Sequence, residues 1–175
     1  MPVPKSVALL LAALALPLLA APSGAQEVNG CDLTARRVVC PNAKLNGVHL
    51  SDLDLTGADL RQADLSGAAL SGVTLRSANL AGANLTGALV SESDWSGVNL
   101  VGATLKEARL NFVVLVGANL AGADLSSAVV YHCSLQGANL TGIKPRFVRV
   151  TSSRWTDGNV CNTTWNSSMG VPCSR

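Results

Sequence analysis

Apolar residues recur at every fifth position from Leu45 to Leu140, and leucine fills 17 of those 20 places, with Val90, Trp95 and Val130 the exceptions. A period of five fits neither regular element taken straight. On an α-helix successive leucines would step about 140° around the axis, and on a strand they would alternate faces. The chain must therefore turn once per repeat. Two residues before the leucine stands something small or apolar, usually alanine (Ala58, Ala63, Ala78, Ala83, Ala118, Ala123), with Asp or Asn between them. That pattern predicts a three-residue strand with in, out, in polarity. The two remaining places form a corner, and 12 of the 16 glycines occupy its second place, from Gly47 to Gly142. Glycine tolerates the positive φ that such corners need.

Strands this short cannot bury their leucines alone, so successive coils must stack and pair their backbones into a solenoid with a leucine-filled axis. A composition of 48% hydrophobic but only 3% aromatic residues suits so narrow a core. The repeated phrase, read as GADL, SANL and GANL over residues 42–141, resembles the pentapeptide-repeat family. The resemblance implies an all-β fold, a right-handed quadrilateral β-helix with four repeats per coil. Twenty repeats then make five coils, a stack about 24 Å tall at about 4.8 Å per coil. Reading every twentieth residue aligns Asp59, Asn79, Asn99, Asn119, Asn139 and Asn159 in one column. Such a column is either an amide ladder or a flat strip for ice or polysaccharide.

The expected organisation is a secretory signal peptide at 1–25, an N-terminal cap at 26–41, the pentapeptide-repeat β-helix at 42–145, and an irregular coil with a disulfide-closed cap at 146–175. Lys5, the apolar run 7–21 and Ser23-Gly-Ala25 before Gln26 make up the export signal. A lipoprotein anchor on Cys31 is disfavoured by its distance from that run. All five cysteines lie in the exported part, which predicts pairs of Cys31 with Cys40 and Cys161 with Cys173 as staples on the two ends. Cys133 takes an inward place normally held by alanine, as a buried thiol filling space or as a redox or intermolecular cysteine. Beyond Thr141 the phrase degrades, with Pro145 at a leucine place, yet Val150, Trp155, Val160 and Trp165 keep the five-residue beat. One further irregular coil is expected, then a tail that plugs the end. Trp155-Thr-Asp-Gly followed by Cys161 and Cys173 resembles the tail of exported bacterial members of the family.

Charge and chemistry narrow the function. Without residues 1–25 the chain carries 12 basic and 11 acidic residues, so nucleic acid is not an expected partner. Two histidines, His49 and His132, give no metal-ligand spacing, and no phosphate loop, nucleophile elbow or catalytic triad stands in the chain. Asp54, Asp59 and Asp64 fall on successive sides of a coil and diverge. No catalytic residue, metal site or cofactor is expected, nor a transmembrane segment in the mature chain. Twenty-residue stacking gathers Leu89, Arg109 and Val129 in one column, Phe112 over His132 at a corner and Tyr131 alongside. That is a candidate partner or self-association patch. Lys144, Arg146, Arg149 and Arg154 form a second, basic candidate, either a solvated face or a site for lipid headgroups or acidic glycans. Asn84, Asn139, Asn162 and Asn166 each head an N-x-S/T sequon.

The expected protein is a secreted or periplasmic, non-enzymatic structural or protein-interaction module, a monomer or weak homodimer with an unknown protein partner. A carbohydrate- or ice-binding surface on the Asn face is one alternative. The resemblance supplies another, the family's nucleic-acid mimic that acts on DNA gyrase, disfavoured by export and near-neutral charge.

Overall fold

Leucine at every fifth place winds the chain into stacked square coils in the computed structural model, which describes residues 27–35, 37–156, 158 and 160–165. Two short strands, β1 (Glu27–Val28) and β2 (Cys31–Asp32), precede the stack. Strands β3 (His49–Ser51), β4 (Ala69–Ser71), β5 (Leu89–Ser91), β6 (Arg109–Asn111) and β7 (Val129–Tyr131) line one side of it. Strands β8 (Val148–Arg154) and β9 (Val160–Trp165) finish the chain. From β3 to β8 the pairing is parallel at a separation of one coil, Leu50 with Leu70, Leu70 with Val90, Val90 with Leu110, and so on to Val150.

The other three sides pair through single bridges in the same twenty-residue step, for example Asp54 with Thr74, Asp59 with Asn79 and Asp64 with Asn84. Four pentapeptides therefore close each coil, and the repeats form a β-solenoid of about five turns, with no helix among the described residues. The expected in, out, in strand is reduced on these three sides to one bridging outward residue. Only on the β3–β8 side does a three-residue strand form, and there it runs out, in, out, as in exposed His49, buried Leu50 and exposed Ser51.

The difference lies in the corners. After Leu55, Leu60 and Leu65 the corner closes with a bond from the amide three residues on, Ala58 N to Leu55 O at 3.0 Å, and Ala63 N to Leu60 O and Ala68 N to Leu65 O at 3.1 Å. No such bond follows Leu50, Leu70, Leu110 or their stacked equivalents, so that corner is open and the strand extends into it. Every corner places its second residue at positive φ, whether it is Gly102 (64°), Glu107 (58°), Phe112 (56°) or Ser127 (60°). Backbone closure thus dictates the conformation, and a side chain there costs about 1–2 kcal/mol.

The axis is filled as expected. Leu60, Leu80, Leu100 and Leu120 are no more than 1% exposed. Trp95 is fully buried in a leucine place beside the smaller Val90 and Ser93, and its Nε1 has no hydrogen-bond partner among the described residues.

At the N-terminal end the cap opens with a hairpin. Asn29 and Gly30, at φ 50° and 79°, turn β1 back antiparallel onto β2, the two-residue corner that Asn-Gly favours. Cys31 and Cys40 form the expected disulfide, with Cα atoms 5.6 Å apart. Stacking already begins at Val39, which bridges to Asp59. At the other end the five-residue beat stops at buried Trp155. The chain then reverses, and β9 pairs antiparallel with β8, Arg154 opposite Val160 and Val148 opposite Trp165, so Val160 and Trp165 do not continue the coil. The proposed signal peptide and the Cys161 to Cys173 bond lie outside the described residues and side chains, as does Asn159 of the Asn column.

Removing core volume and straining a corner should register separately in chemical denaturation. Leu100→Ala is expected to cost about 2–5 kcal/mol through transfer and cavity terms. Gly102→Ala, with open space where a Cβ would stand, is expected to cost about 1–2 kcal/mol through φ alone.

Candidate protein-interaction face

The β3–β8 side differs from the others because its out, in, out strands show two side chains per coil. Leu89, Arg109, Val129 and Arg149 are successive in-register neighbours along it, and Tyr131 stands over Asn111. Phe112 and His132 occupy the open corner at its margin, both at positive φ. Their rings stack at a centroid distance of 5.0 Å. Tyr131 meets Phe112 edge-on at 5.6 Å and His132 edge-on at 4.2 Å. The six residues of the candidate patch thus lie on this side or its margin, and of these the three rings touch one another. Leu89 and Phe112 stay 50% and 53% exposed. A bulky side chain in the left-handed region is a conformational outlier, and at Phe112 the cost is not offset by burial.

Polar residues stand at three of the inward places that follow the open corner. Ser93 Oγ lies 2.9 Å from Ser91 O and 3.3 Å from Leu70 O, and Ser153 Oγ lies 3.0 Å from Thr151 O and 3.3 Å from Val130 O. Cys133 Sγ lies 3.3 Å from Leu110 O and 3.4 Å from Tyr131 O. Burial pushes the Cys133 thiol up to about 11, so it stays protonated at neutral pH. Its neighbour His132 points outward, as the alternation requires.

Sequence reasoning missed Val114, 38% exposed beside the rings, although the same twenty-residue stacking places it between Asp94 and Ser134. With Glu92, Ser93, Asp94 and Phe112 it lines a shallow pocket of about 380 Å³. Asp94 is pushed up by partial burial, but bonds from the Ser96 hydroxyl and amide and the charge of Arg76, 3.2 Å away, outweigh that and hold it low. Phe147, 67% exposed on the corner at the opposite margin of this side, was also not singled out as a surface residue.

The basic candidate does not converge. Lys144 bridges to Asp124, Arg149 pairs with Val129 and Arg154 with Ser134, which are three different sides of the last coil, and Arg146 stands at a corner. Arg149 falls on the same side as the ring cluster. Among the described residues none of these four cations makes an ion pair.

The Asp/Asn positions work locally. Oδ1 of Asn79, Asn99 and Asn119 each accepts the backbone amide two residues on, at 3.2 Å. Asn99 Nδ2 also donates to Asn79 Oδ1, and Asn139 Nδ2 to Asn119 Oδ1, both at 3.1 Å. The column is an amide ladder in pairs whose oxygens are engaged by the protein itself. Aspartates make the same turn. Hydrogen bonds from Thr56 to Asp54, from Arg61 to Asp59 and from Ser66 to Asp64 hold these carboxyls below the usual carboxylate range. The sequon residue Asn84 is similarly engaged with Asp64 and Thr86, and Asn139 with Asn119 and Thr141. The side chains of Asn162 and Asn166 lie outside those described. Among the described residues no group of His, Cys, Asp or Glu is arranged to hold a metal, and no helix is long and apolar enough to cross a membrane.

The family model described as Pentapeptide repeats matches residues 40–76, 78–111 and 105–142 in eight copies. Among solved structures, the chain is similar to HetL, a pentapeptide repeat protein involved in heterocyst differentiation regulation from the cyanobacterium Nostoc sp. strain PCC 7120. The identity is 27% over 70% of this chain and 74% of that one, at a TM-score of 0.48. Rfr23 from the cyanobacterium Cyanothece 51142 is 24% identical over 70% of this chain and 92% of that one, at a TM-score of 0.50, a likeness of fold. QnrB1, a plasmid-mediated fluoroquinolone resistance protein, is 15% identical over 66% of this chain and 69% of that one, at 0.47. No curated protein matches the chain.

The aspartate turns predict acid sensitivity. Because their folded-state pKa values are depressed, their stabilisation is complete above the unfolded value of about 3.9 and is lost as pH falls through the lower folded values. Denaturation midpoints should therefore fall between pH 5 and pH 2, and Asp54→Asn with Asp64→Asn should flatten that fall.

Proposed function

The chain belongs to the pentapeptide repeat family, and from that premise we propose that it is an exported, non-enzymatic interaction module. Its working surface is the β3–β8 side. Members of this family are generally structural or interaction modules, and the observation that favours this side is the cluster of Phe112, Tyr131 and His132. Three rings hold one another in fixed geometry on a rigid frame, half-exposed, with Leu89 and Arg109 on the same side of the stack. Aromatic and arginine side chains held rigid in this way contribute contact area at small entropic cost. Export is supported by the signal-like residues 1–25 and by the Cys31–Cys40 bond, since disulfides persist in oxidising compartments.

Two measurements test this reading. The protein recovered from the extracellular or periplasmic fraction should have a mass that begins at Gln26, and a full-length mass there would contradict cleavage. Immobilised wild-type protein should recover a binding protein from that fraction which Phe112→Asp with Tyr131→Asp fails to recover, with an unchanged circular dichroism spectrum. Equal recoveries would remove the ring cluster from the interaction.

A further inference from the structure

We propose that the corner between Lys144 and Arg149 is a docking point for an anionic lipid surface. The inference goes beyond the ring cluster and does not depend on it. Phe147 takes the second place of this corner, in the twenty-residue column that holds Gly47, Gly67 and Gly87 lower in the stack. Its φ of 57° is one that a bulky side chain adopts only at a cost. The ring is 67% exposed, more than any other large hydrophobic side chain among the described residues. Phe112, under the same constraint, has Tyr131 and His132 against it, whereas Phe147 makes no ring contact among the described residues.

Three cations surround that ring. Arg146 precedes it at the corner, Lys144 stands on one adjoining side through its bridge to Asp124, and Arg149 on the other through its pairing with Val129. All three are exposed, and none makes an ion pair among the described residues. Asp124, the acid beneath Lys144, is held by Lys106 at 3.3 Å. Glu107 lies two coils down the same corner, about 10 Å away. Arg154 bridges to Ser134 on another side and is no part of the group. The backbone here is pinned from below and above. Ser127 N donates to Arg146 O at 2.7 Å and Arg149 N to Ala128 O at 2.9 Å, while β9 pairs with Val148 and Arg149.

Shape and charge together point to the partner. A flat protein or glycan laid against one side of the coil would reach Lys144 or Arg149 but not both, because they stand on sides that meet at an angle. A layer of anionic headgroups deforms around a convex corner. It meets all three cations together and takes the projecting ring at the boundary between headgroups and acyl chains. Each cation close to such a surface strengthens attachment about fivefold. The chain as a whole supplies no such attraction, since beyond residue 25 its 12 basic and 11 acidic residues nearly cancel. Attachment is therefore local to this corner, and reversible.

Flotation of the purified protein with vesicles tests this, using phosphatidylcholine alone or in equal parts with phosphatidylglycerol. Wild type and variants carry the same N-terminus, so residues 1–25 cannot account for a difference between them. The expected result is greater recovery with the mixed vesicles, falling as salt is raised. Arg146→Glu with Arg149→Glu should lower the partition coefficient by at least about tenfold. Arg61→Glu with Arg76→Glu, the same charge change on a distant coil, should alter it far less. Phe147→Gly should weaken binding severalfold without lowering the denaturation midpoint, because glycine takes this φ freely. A ring needed only for folding would not separate those two readouts. No recovery, recovery independent of phosphatidylglycerol, equal losses from the two double reversals, or retention on heparin without vesicle binding would each overturn the proposal.

Discussion

Each coil gives its backbone amides to carbonyls on its neighbours. Gly57 N donates to Arg76 O and Leu60 N to Asn79 O, both at 2.8 Å, and Asn79 N returns a bond to Ala58 O at 2.8 Å. Since nearly every buried amide and carbonyl must be paired, a coil with one residue more or fewer would lift a whole column out of register. This explains why the repeat runs from Leu45 to Leu140 without an insertion. It also explains why corners adopt positive φ even where the residue is glutamate, serine or phenylalanine. The inter-coil ladder sets the backbone path, and the side chain accepts the local cost.

Three corners of each coil close on themselves and one does not, and that single difference spreads through the structure. The open corner lengthens the adjoining strand to three residues, so that one side shows two side chains per coil. Donors stand at three of the inward places beyond it, Ser93, Cys133 and Ser153, each within reach of the carbonyl two residues back and of one on the coil below, while Val73 and Val113 fill the same place with an apolar side chain. A cysteine whose thiol lies within reach of both Leu110 O and Tyr131 O, and whose burial resists ionisation, fills space in the frame.

Much of this was legible in the sequence because the dominant signals are local and repeated. The leucine beat, the twenty-residue columns, the inward Cys133 and the Cys31–Cys40 staple all follow from spacing. What was hidden depended on interactions that spacing does not express. Asp and Asn between the inward residues read as an outward ladder or strip between coils, yet their oxygens also accept the corner amides two residues on. Asn29-Gly30 is an ordinary hairpin signal, but it stands outside the five-residue beat that carries the rest of the reading. Val160 and Trp165 kept the beat by number alone. Once Trp155 had closed the axis, antiparallel pairing on β8 satisfied the exposed edge, and the chain left the coil.

A frame of this kind leaves few places for individuality. In each five residues the leucine place, the inward small residue and the second corner residue are fixed by packing and φ, and the Asp or Asn is largely committed to the turn. Only where that polar residue is replaced does a coil gain freedom to display something else. Leu89, Arg109, Val129 and Arg149 are four consecutive replacements in one column, and Phe112 and His132 accept left-handed backbone at a place where glycine would cost nothing. Departures that stack on adjacent coils are spatially contiguous by construction. That contiguity turns separate substitutions in the repeat into a surface, and it locates what is particular to this chain on the β3–β8 side.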